Sequence, residues 1–251
     1  MTKHEIVSKE KWLDARRLLL AEEKAWTRER DRISERRRAL PWVKVEKNYV
    51  FQGADGPVTL SELFDGRSQL IVYHFMFGPE WEEGCTGCSL LSDQVDGPRR
   101  HFEHNDVSYV AVSRGPIEKL QAYRKRMGWS FPWVSSAGSD FNFDYNVSFP
   151  NGTREEGVFY NFEKRPDPEV DELPGVSVFF KDEDGAIYHT YSTFGRGGEM
   201  FLSVYDWLDI VPRGRNEPPG GNLMNWVKRH DRYENDGRSV HANKGVADAA
   251  E

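Results

Sequence analysis

Two nearly continuous apolar runs stand at the centre of the chain. Residues 69–77 (QLIVYHFMF) and 107–113 (VSYVAVS) lack the polar alternation of a strand with one face in solvent. Such runs are typical of strands that are covered on both faces. The segment from Cys85 to about Asn105 lies between them and predicts a helix that is interrupted at Gly97–Pro98. The order strand, helix, strand predicts a right-handed parallel crossover.

The pattern after this crossover predicts another helix, a hairpin and a last helix. These elements are a helix from Pro116 to Gly128, a short strand at 131–134, hairpin strands at 176–180 and 186–191 around a turn at 182–185, and a helix at 199–209. A parallel crossover followed by a hairpin makes a small mixed sheet with helices on both faces. The predicted fold class is therefore α/β, with a thioredoxin-like mixed sheet flanked by helices.

Before and after this sheet, the pattern predicts three additions. Residues 8–38 carry apolar side chains at spacings of three and four, which predicts a helix that ends before Pro41. We expect an N-terminal helical arm (1–40), which packs on the main domain or on a second subunit and so could form a homodimer. The thioredoxin-like domain then spans 41–212. It contains a long polar insertion at about 144–175, before the C-terminal hairpin, and a polar tail follows at 213–251.

The composition is typical of a globular protein. With 251 residues, 38% hydrophobic and 30% charged, the chain can bury a core without disulfides. No run reaches the roughly 18–20 apolar residues of a membrane span, and residues 1–12 lack the apolar core of a secretory signal. We therefore expect a cytoplasmic protein without a membrane partner, whose two cysteines are thiols.

Charge argues against a nucleic-acid partner. The formal net charge is -7. The most basic stretch, 28–38, holds six arginines, for which a nucleic-acid patch is one interpretation. Three acids are interleaved among them, which favours a solvated helix face crossed by ion pairs.

The clearest chemical motif is the pair Cys85 and Cys88, at the predicted junction between a buried strand and a helix. Backbone N–H groups at a helix start stabilise a thiolate, and the second cysteine lies one turn further on, within reach of a disulfide. The motif predicts a redox pair with Cys85 attacking and Cys88 resolving, without a cofactor, on a thiol or disulfide substrate. Trp81, Thr86 and His74 are candidate supporting residues. The alternative is two unrelated buried thiols.

The residues before the pair favour a different chemistry. Glu80, Glu82 and Glu83 precede Cys85, and no Lys or Arg occurs within 78–91. Nearby carboxylates disfavour a thiolate, so this arrangement predicts a raised pKa of the Cys85 thiol and a poor free nucleophile.

A bound cation would remove that difficulty. His189 belongs to the hairpin that lies, in this topology, beside the strand leading to the cysteines. Cys85, Cys88 and His189 together would suit copper or zinc, which makes a metal-binding protein or metalloenzyme the alternative function. Equally, His189 could be hydrogen-bonded within the sheet. A third hypothesis is a partner-binding domain in which neither cysteine is needed.

Several stretches together resemble the DUF899 family, a group with a thioredoxin-like fold and no firmly assigned reaction. They are 40–43, 63–79, the Gly84-Cys85-x-x-Cys88 element, 113–114, 126–136, 173–178 and 189–193. The resemblance covers about residues 40 to 210 and implies kinship with thioredoxins and peroxiredoxins.

Departures from those relatives matter. Thioredoxins carry Gly-Pro between the cysteines where this chain has Thr86-Gly87, which should alter the redox potential. The proline that thioredoxins place before the third strand would fall near Val176, so Pro174 is the candidate counterpart. The Pro, Thr, Cys spacing of peroxiredoxins is not met after Pro79. Copper-handling relatives of the fold add a histidine from the late hairpin, a role for which His189 is suitably placed.

Overall fold

The computed structural model describes residues 4–150, 154–215, 217 and 224–234, and the chain forms two compact units. The first, Met1–Trp42, contains one helix, α1 (Lys9–Arg38), which confirms the helix predicted at 8–38. Ser8 caps its start, accepting a hydrogen bond from the backbone N–H of Lys11 at 3.4 Å, and three arginines occupy its last turn, where the helix dipole favours cations. No residue of α1 is buried, and Trp12 and Trp26 are more than half exposed.

In the second unit, Val43–Glu251, the described residues form ten strands and five α-helices. Its strands are β1 (Val43–Lys44), β2 (Val50–Gly53), β3 (Gly56–Thr59), β4 (Gln69–His74), β5 (Val107–Ser113), β6 (Trp133–Ser135), β7 (Val158–Tyr160), β8 (Glu163–Arg165), β9 (Gly175–Lys181) and β10 (Ile187–Phe194). Its helices are α2 (Thr86–Ser92), α3 (Asp96–His104), α4 (Ile117–Arg126), α5 (Phe141–Asp144) and α6 (Ser203–Asp209).

Eight of these strands form one mixed sheet, in the order β1-β10-β9-β4-β5-β6-β2-β3. Strand β4 is parallel to β5, which is parallel to β6, whereas β9 is antiparallel to β4 and β10 is antiparallel to β9. This is the predicted crossover followed by a hairpin, so the α/β thioredoxin-like arrangement is confirmed. Strands β1, β2 and β3 extend the sheet at both ends.

Two cores lie on opposite faces of the sheet, because successive side chains of its central strands point to opposite sides. The cysteine-side core contains Tyr73, Phe75 and Cys88, and helices α2, α3, α4 and α6 pack into it. The histidine-side core contains Val72 and Phe179 and is covered by α5 and a 3-10 turn at Glu62–Phe64. The predicted helical cover is therefore present on both faces but is much heavier over the cysteines.

The helix predicted from Cys85 to Asn105 is divided earlier than expected. The break between α2 and α3 falls at residues 93–95, whereas Gly97 and Pro98 lie inside the first turn of α3. Proline is tolerated there because the first-turn N–H groups have no partner within the helix. The helix predicted at 199–209 begins as a 3-10 turn, Gly195–Phe201, and continues as α6.

The predicted insertion at about 144–175 has a structure of its own. Strands β7 and β8 pair as a separate two-stranded sheet. Tyr160 packs in a small core with Phe149 and Phe194, and its hydroxyl donates to the carbonyl of Pro174 at 2.6 Å. The insertion is therefore anchored on β10 and on the residue that precedes β9.

The predicted polar tail, 213–251, lies partly outside the described residues, since 216, 218–223 and 235–251 are not among them. Its described part at 224–234, which we call the C-terminal strap, packs on the cysteine-side core: Val227 is buried, and Trp226 is partly buried against that core. Within the described residues, no helix is long and apolar enough to cross a membrane.

Candidate active site

Cys85 lies at the point where the loop after β4 turns into α2. Its backbone N–H donates to the carbonyl of Met76 at 3.0 Å, which ties the loop to the continuation of β4. It is the cap residue of α2, and its sulfur accepts a hydrogen bond from the N–H of Cys88 at 3.5 Å. Both cysteines are free thiols; Cys85 is partly exposed, whereas Cys88 is buried. The predicted strand-to-helix placement is therefore present.

The site favours the thiolate of Cys85. A hydrogen bond from the Cys88 thiol is the largest influence, followed by the backbone N–H groups of Cys88 and Gly87 and the positive charge of Arg229; together they outweigh burial and lower the pKa of Cys85 to about 6. The expectation of a raised pKa is wrong. Its basis was the charge of the carboxylates before the pair, and one of these, Glu83, is paired with arginines in the folded chain.

Three arginines compensate the negative charge of Glu83. Its carboxylate pairs with Arg126, with Arg229 at 2.8 Å and with Arg232 at 3.3 Å. Two of the three arginines belong to the C-terminal strap, far away in sequence. The pKa of Glu83 is lowered most by the hydrogen bond from Arg126, and further by the charge of Arg229 and the hydrogen bond from Arg232.

Arg229 also fixes the loop that carries the nucleophile. Its guanidinium donates to the carbonyl of Gly84 at 2.6 Å and to the Tyr123 hydroxyl at 2.9 Å. Tyr123 in turn shares a hydrogen bond of 3.0 Å with Ser89, a residue of α2. The strap therefore connects α4 to the residue immediately before Cys85. Sequence reasoning missed Arg229, since no local signal marks a residue so distant from the motif.

Cys88 has the opposite electrostatic environment. Burial, followed by the hydrogen bond to Cys85 and the Cys85 charge, raises the pKa of the Cys88 thiol well above its usual value. A hydrogen bond with the Tyr73 hydroxyl opposes this effect. The two thiols thus differ in the way that an attacking and a resolving cysteine require. Tyr73 was not predicted, because it looks like one more large residue in an apolar strand.

The predicted supporting residues separate into two groups. Pro174, directly before β9, lines the same cavity as Cys85 and Cys88. Thr86 and Trp81 do not line that cavity: Thr86 is the first residue of α2, and Trp81 packs at the edge of the cysteine-side core.

His74 and His189 lie in a different place, on the histidine side of the sheet. His74 stacks on Phe141, and the ring of His189 meets that of Tyr145 edge-on. The two histidines are joined by a chain of hydrogen bonds through two serines. Its steps are His74 Nε2 to Ser177 Oγ at 2.8 Å, Ser177 Oγ to Ser192 Oγ at 2.9 Å, and Ser192 Oγ to His189 Nε2 at 2.7 Å.

This placement contradicts the predicted copper or zinc ligand set. Cys88 belongs to the cysteine-side core, so the sheet lies between it and His189. The other proposed arrangement, a histidine hydrogen-bonded within the sheet, describes His189 correctly. Within the described residues, no group of three or more His, Cys, Asp and Glu side chains is arranged to hold a metal ion. Burial, with the nearby His189, lowers the pKa of His74 to about 3, which keeps that ring neutral.

A cavity of about 290 Å³, which we call the cysteine cavity, opens beside the pair. Its described walls are mainly apolar or aromatic. They include Tyr73, Leu91, Val176, Phe194, Leu202, Tyr205 and Met224, together with both cysteines and Pro174. A substrate in this cavity would lie against the Cys85 sulfur.

Comparison with known families identifies the chain's relatives. The model of the DUF899 family, described as a bacterial protein of unknown function, matches residues 1–233. The chain belongs to the DUF899 family. The resemblance inferred from the sequence motifs is therefore confirmed. In this DUF899 member, the matched region also includes α1 and residues 224–233 of the C-terminal strap. A comparison with curated proteins gives no match.

Solved structures similar to this DUF899 member include peroxiredoxins. Peroxidoxin BcpB from Mycobacterium tuberculosis is 14% identical, with a TM-score of 0.43, and the alignment covers 65% of this chain and 94% of that one. A PrxQ mutant from Xylella fastidiosa is 12% identical, with a TM-score of 0.43 and coverages of 66% and 95%. A putative protein disulfide isomerase from Bacteroides thetaiotaomicron is 16% identical, with a TM-score of 0.37 and coverages of 66% and 91%. At these identities the likeness concerns the fold alone.

Proposed function

We propose that this DUF899 protein is a thiol–disulfide oxidoreductase in which Cys85 attacks and Cys88 resolves. The observation that carries the proposal is the contrast between the two thiols. Cys85 is partly exposed, lines a cavity and has a pKa of about 6. Cys88 is buried, and its pKa is raised. An attacking thiol reacts best when its pKa is near the ambient pH.

The reaction proceeds in two exchanges. The Cys85 thiolate attacks one sulfur of a substrate disulfide, forms a mixed disulfide and releases the other half as a thiolate, which takes a proton from water. Cys88 then loses its proton and attacks the Cys85 sulfur, so that the second half leaves as a thiol. Two electrons pass from the pair to the substrate, and an external dithiol restores the reduced pair. The chemistry uses the two thiols and needs no bound cofactor.

Tyr73 and Arg229 have separate roles in this scheme. The Tyr73 hydroxyl, in contact with the Cys88 sulfur, lowers its pKa and so assists the second exchange. Arg229 stabilises the attacking thiolate and the loop that holds it. Both are positioning residues, since neither exchanges electrons with the substrate.

The test is a trapped intermediate. Cys88→Ser removes the resolving thiol, so incubation with bis(2-hydroxyethyl) disulfide or a disulfide-containing protein should leave a stable mixed disulfide on Cys85, detectable by intact mass. Cys85→Ser is the matched control and should trap nothing, because its remaining thiol is buried. If Cys88→Ser forms no adduct with any disulfide offered, the proposal loses its support.

A further inference from the structure

The cysteine cavity is mainly apolar, and the two reactive thiols form part of its wall. Cys85 and Cys88 form part of its wall, and the side chains of Leu91, Val176 and Leu202 form much of the rest. At about 290 Å³, its size lies at the small end of ligand pockets, which run from about 300 to 1,000 Å³. That space holds a small molecule or one end of it, rather than a folded protein segment.

The charged side chains that line this cavity pair with one another, apart from the Cys85 thiolate, which the charge of Arg229 stabilises. Among the described lining residues these paired side chains are Arg196 and Glu199, and the guanidinium of Arg196 donates to the Glu199 carboxylate at 2.7 and 3.2 Å. Glu199 also pairs with Arg215 at 3.4 Å. A charged ligand would therefore lose its water without meeting an unpaired counter-ion, which is unfavourable.

From this geometry we infer that the substrate is a small disulfide carrying an uncharged, apolar substituent, which the cysteine cavity binds beside the Cys85 sulfur. The inference rests on the proposed function and adds its substrate class. Cys85 attacks the sulfur attached to the apolar group, forming the Cys85 mixed disulfide, and the other half leaves as a thiolate. Cys88 then attacks Cys85, the apolar thiol departs from the cavity, and an external dithiol reduces the pair.

Two chromogenic disulfides of opposite character test this selectivity. 4,4′-Dithiodipyridine is neutral at pH 8, whereas 5,5′-dithiobis(2-nitrobenzoate) is a dianion. Each rate with the reduced protein is divided by the rate with N-acetylcysteinamide, a neutral small thiol that corrects for intrinsic reactivity. We expect the corrected rate to favour the neutral disulfide by about tenfold, as for a group that gains an apolar contact. The positive charge of Arg229 near Cys85 would by itself favour the dianion, so simple attraction predicts the reverse order.

A matched pair of variants separates the cavity from general effects on the fold. Leu202→Phe adds bulk to a buried residue of the cavity wall, and Leu60→Phe makes the same change at a buried residue of the histidine-side core. Leu202→Phe should slow the neutral disulfide about tenfold and leave the dianion within about twofold. Leu60→Phe should change neither rate.

A measurement on the unaltered protein tests the inferred substrate class even if one of the variants fails to fold. 1,2-Di(4-pyridyl)ethane has the shape of the neutral disulfide with carbon in place of sulfur, so it cannot react. It should inhibit the neutral disulfide competitively, in a saturable manner. Equal corrected rates for the two disulfides, or no inhibition by the ethane, would overturn the inferred substrate class and leave the proposed function standing. Failure of both disulfides to oxidise the pair would instead remove the proposed function.

Discussion

The ionisation of Cys85 gives the sharpest test of the site, because each of its supports can be removed separately. The hydrogen bond from the Cys88 thiol is the largest influence on the Cys85 pKa, and the charge of Arg229 is a smaller one. Cys88→Ala removes the first, and Arg229→Gln removes the second. The chain has two cysteines, so the Cys88 variant reports on a single thiol.

The expected change in the alkylation rate follows from the lowered pKa of Cys85. A thiol with a pKa of about 6 is about 90% thiolate at pH 7, whereas one at the ordinary value of 9.0 is only about 1% thiolate. Complete loss of the shift would therefore slow alkylation at pH 7 by about 90-fold. Since Cys88→Ala removes the largest of several contributions, we expect a decrease of about tenfold, and a smaller decrease for Arg229→Gln.

The assay is the rate of iodoacetamide alkylation as a function of pH, followed by intact mass. Each midpoint gives the pKa of Cys85, and the plateau at high pH checks that accessibility is unchanged. Arg232→Gln is the matched control, since it removes a strap arginine that pairs with Glu83 but is absent from the influences on Cys85. Its midpoint should equal that of the unaltered protein.

Two results would refute this reasoning. If the midpoint of Cys88→Ala stays at that of the unaltered protein, the hydrogen bond between the thiols does not stabilise the thiolate. If Arg229→Gln raises the midpoint more than Cys88→Ala does, charge rather than hydrogen bonding dominates at Cys85.

Three further predictions concern other parts of the molecule. Glu172 is a buried residue of the insertion, and its carboxylate accepts a hydrogen bond from the backbone N–H of Phe77 at 3.0 Å. Burial raises its pKa from 4.5 to about 7, so the free energy of unfolding should fall as the pH rises between these values. Glu172→Gln should match the native protein in urea unfolding at pH 4 and exceed it by up to about 3 kcal/mol at pH 8. Tyr73→Phe removes a hydrogen bond that lowers the Cys88 pKa, so the mixed disulfide should persist several-fold longer in a quenched mass-spectrometric time course. Residues 43–251 contain the three cores described above and should fold alone, with a single cooperative thermal unfolding transition in circular dichroism.

The sequence was sufficient for five strands of the sheet (β4, β5, β6, β9 and β10) and for the placement of the motif, whereas β1, β2 and β3 were not predicted. The apolar runs at 69–77 and 107–113 identified β4 and β5 because strands buried on both faces carry no polar alternation. The same property explains the error at His189. When both faces of a sheet are covered, a strand pattern does not tell which core a given residue joins, and His189 joins the one opposite the cysteines.

The electrostatics of the pair depended on contacts that no local pattern reveals. The carboxylate run suggested a poor nucleophile because its charge was considered without partners. Glu83 obtains them from α4 and the C-terminal strap, with Arg126 in the first and Arg229 in the second. Tyr73 was equally hidden, since an apolar strand gives no signal that one hydroxyl touches a sulfur.

The distance along the chain between the cysteines and the strap has a consequence for synthesis. Gly84 and Arg229 are 145 residues apart, and they meet through a hydrogen bond. At translation rates of about 5 to 20 residues per second, Cys85 exists for about 7 to 30 seconds before the ribosome adds Arg229. During that interval Glu83 has no arginine from the strap, and the emerging thiol lacks one source of its acidity. The Cys85 thiolate therefore gains its full stabilisation only after the strap has been synthesised.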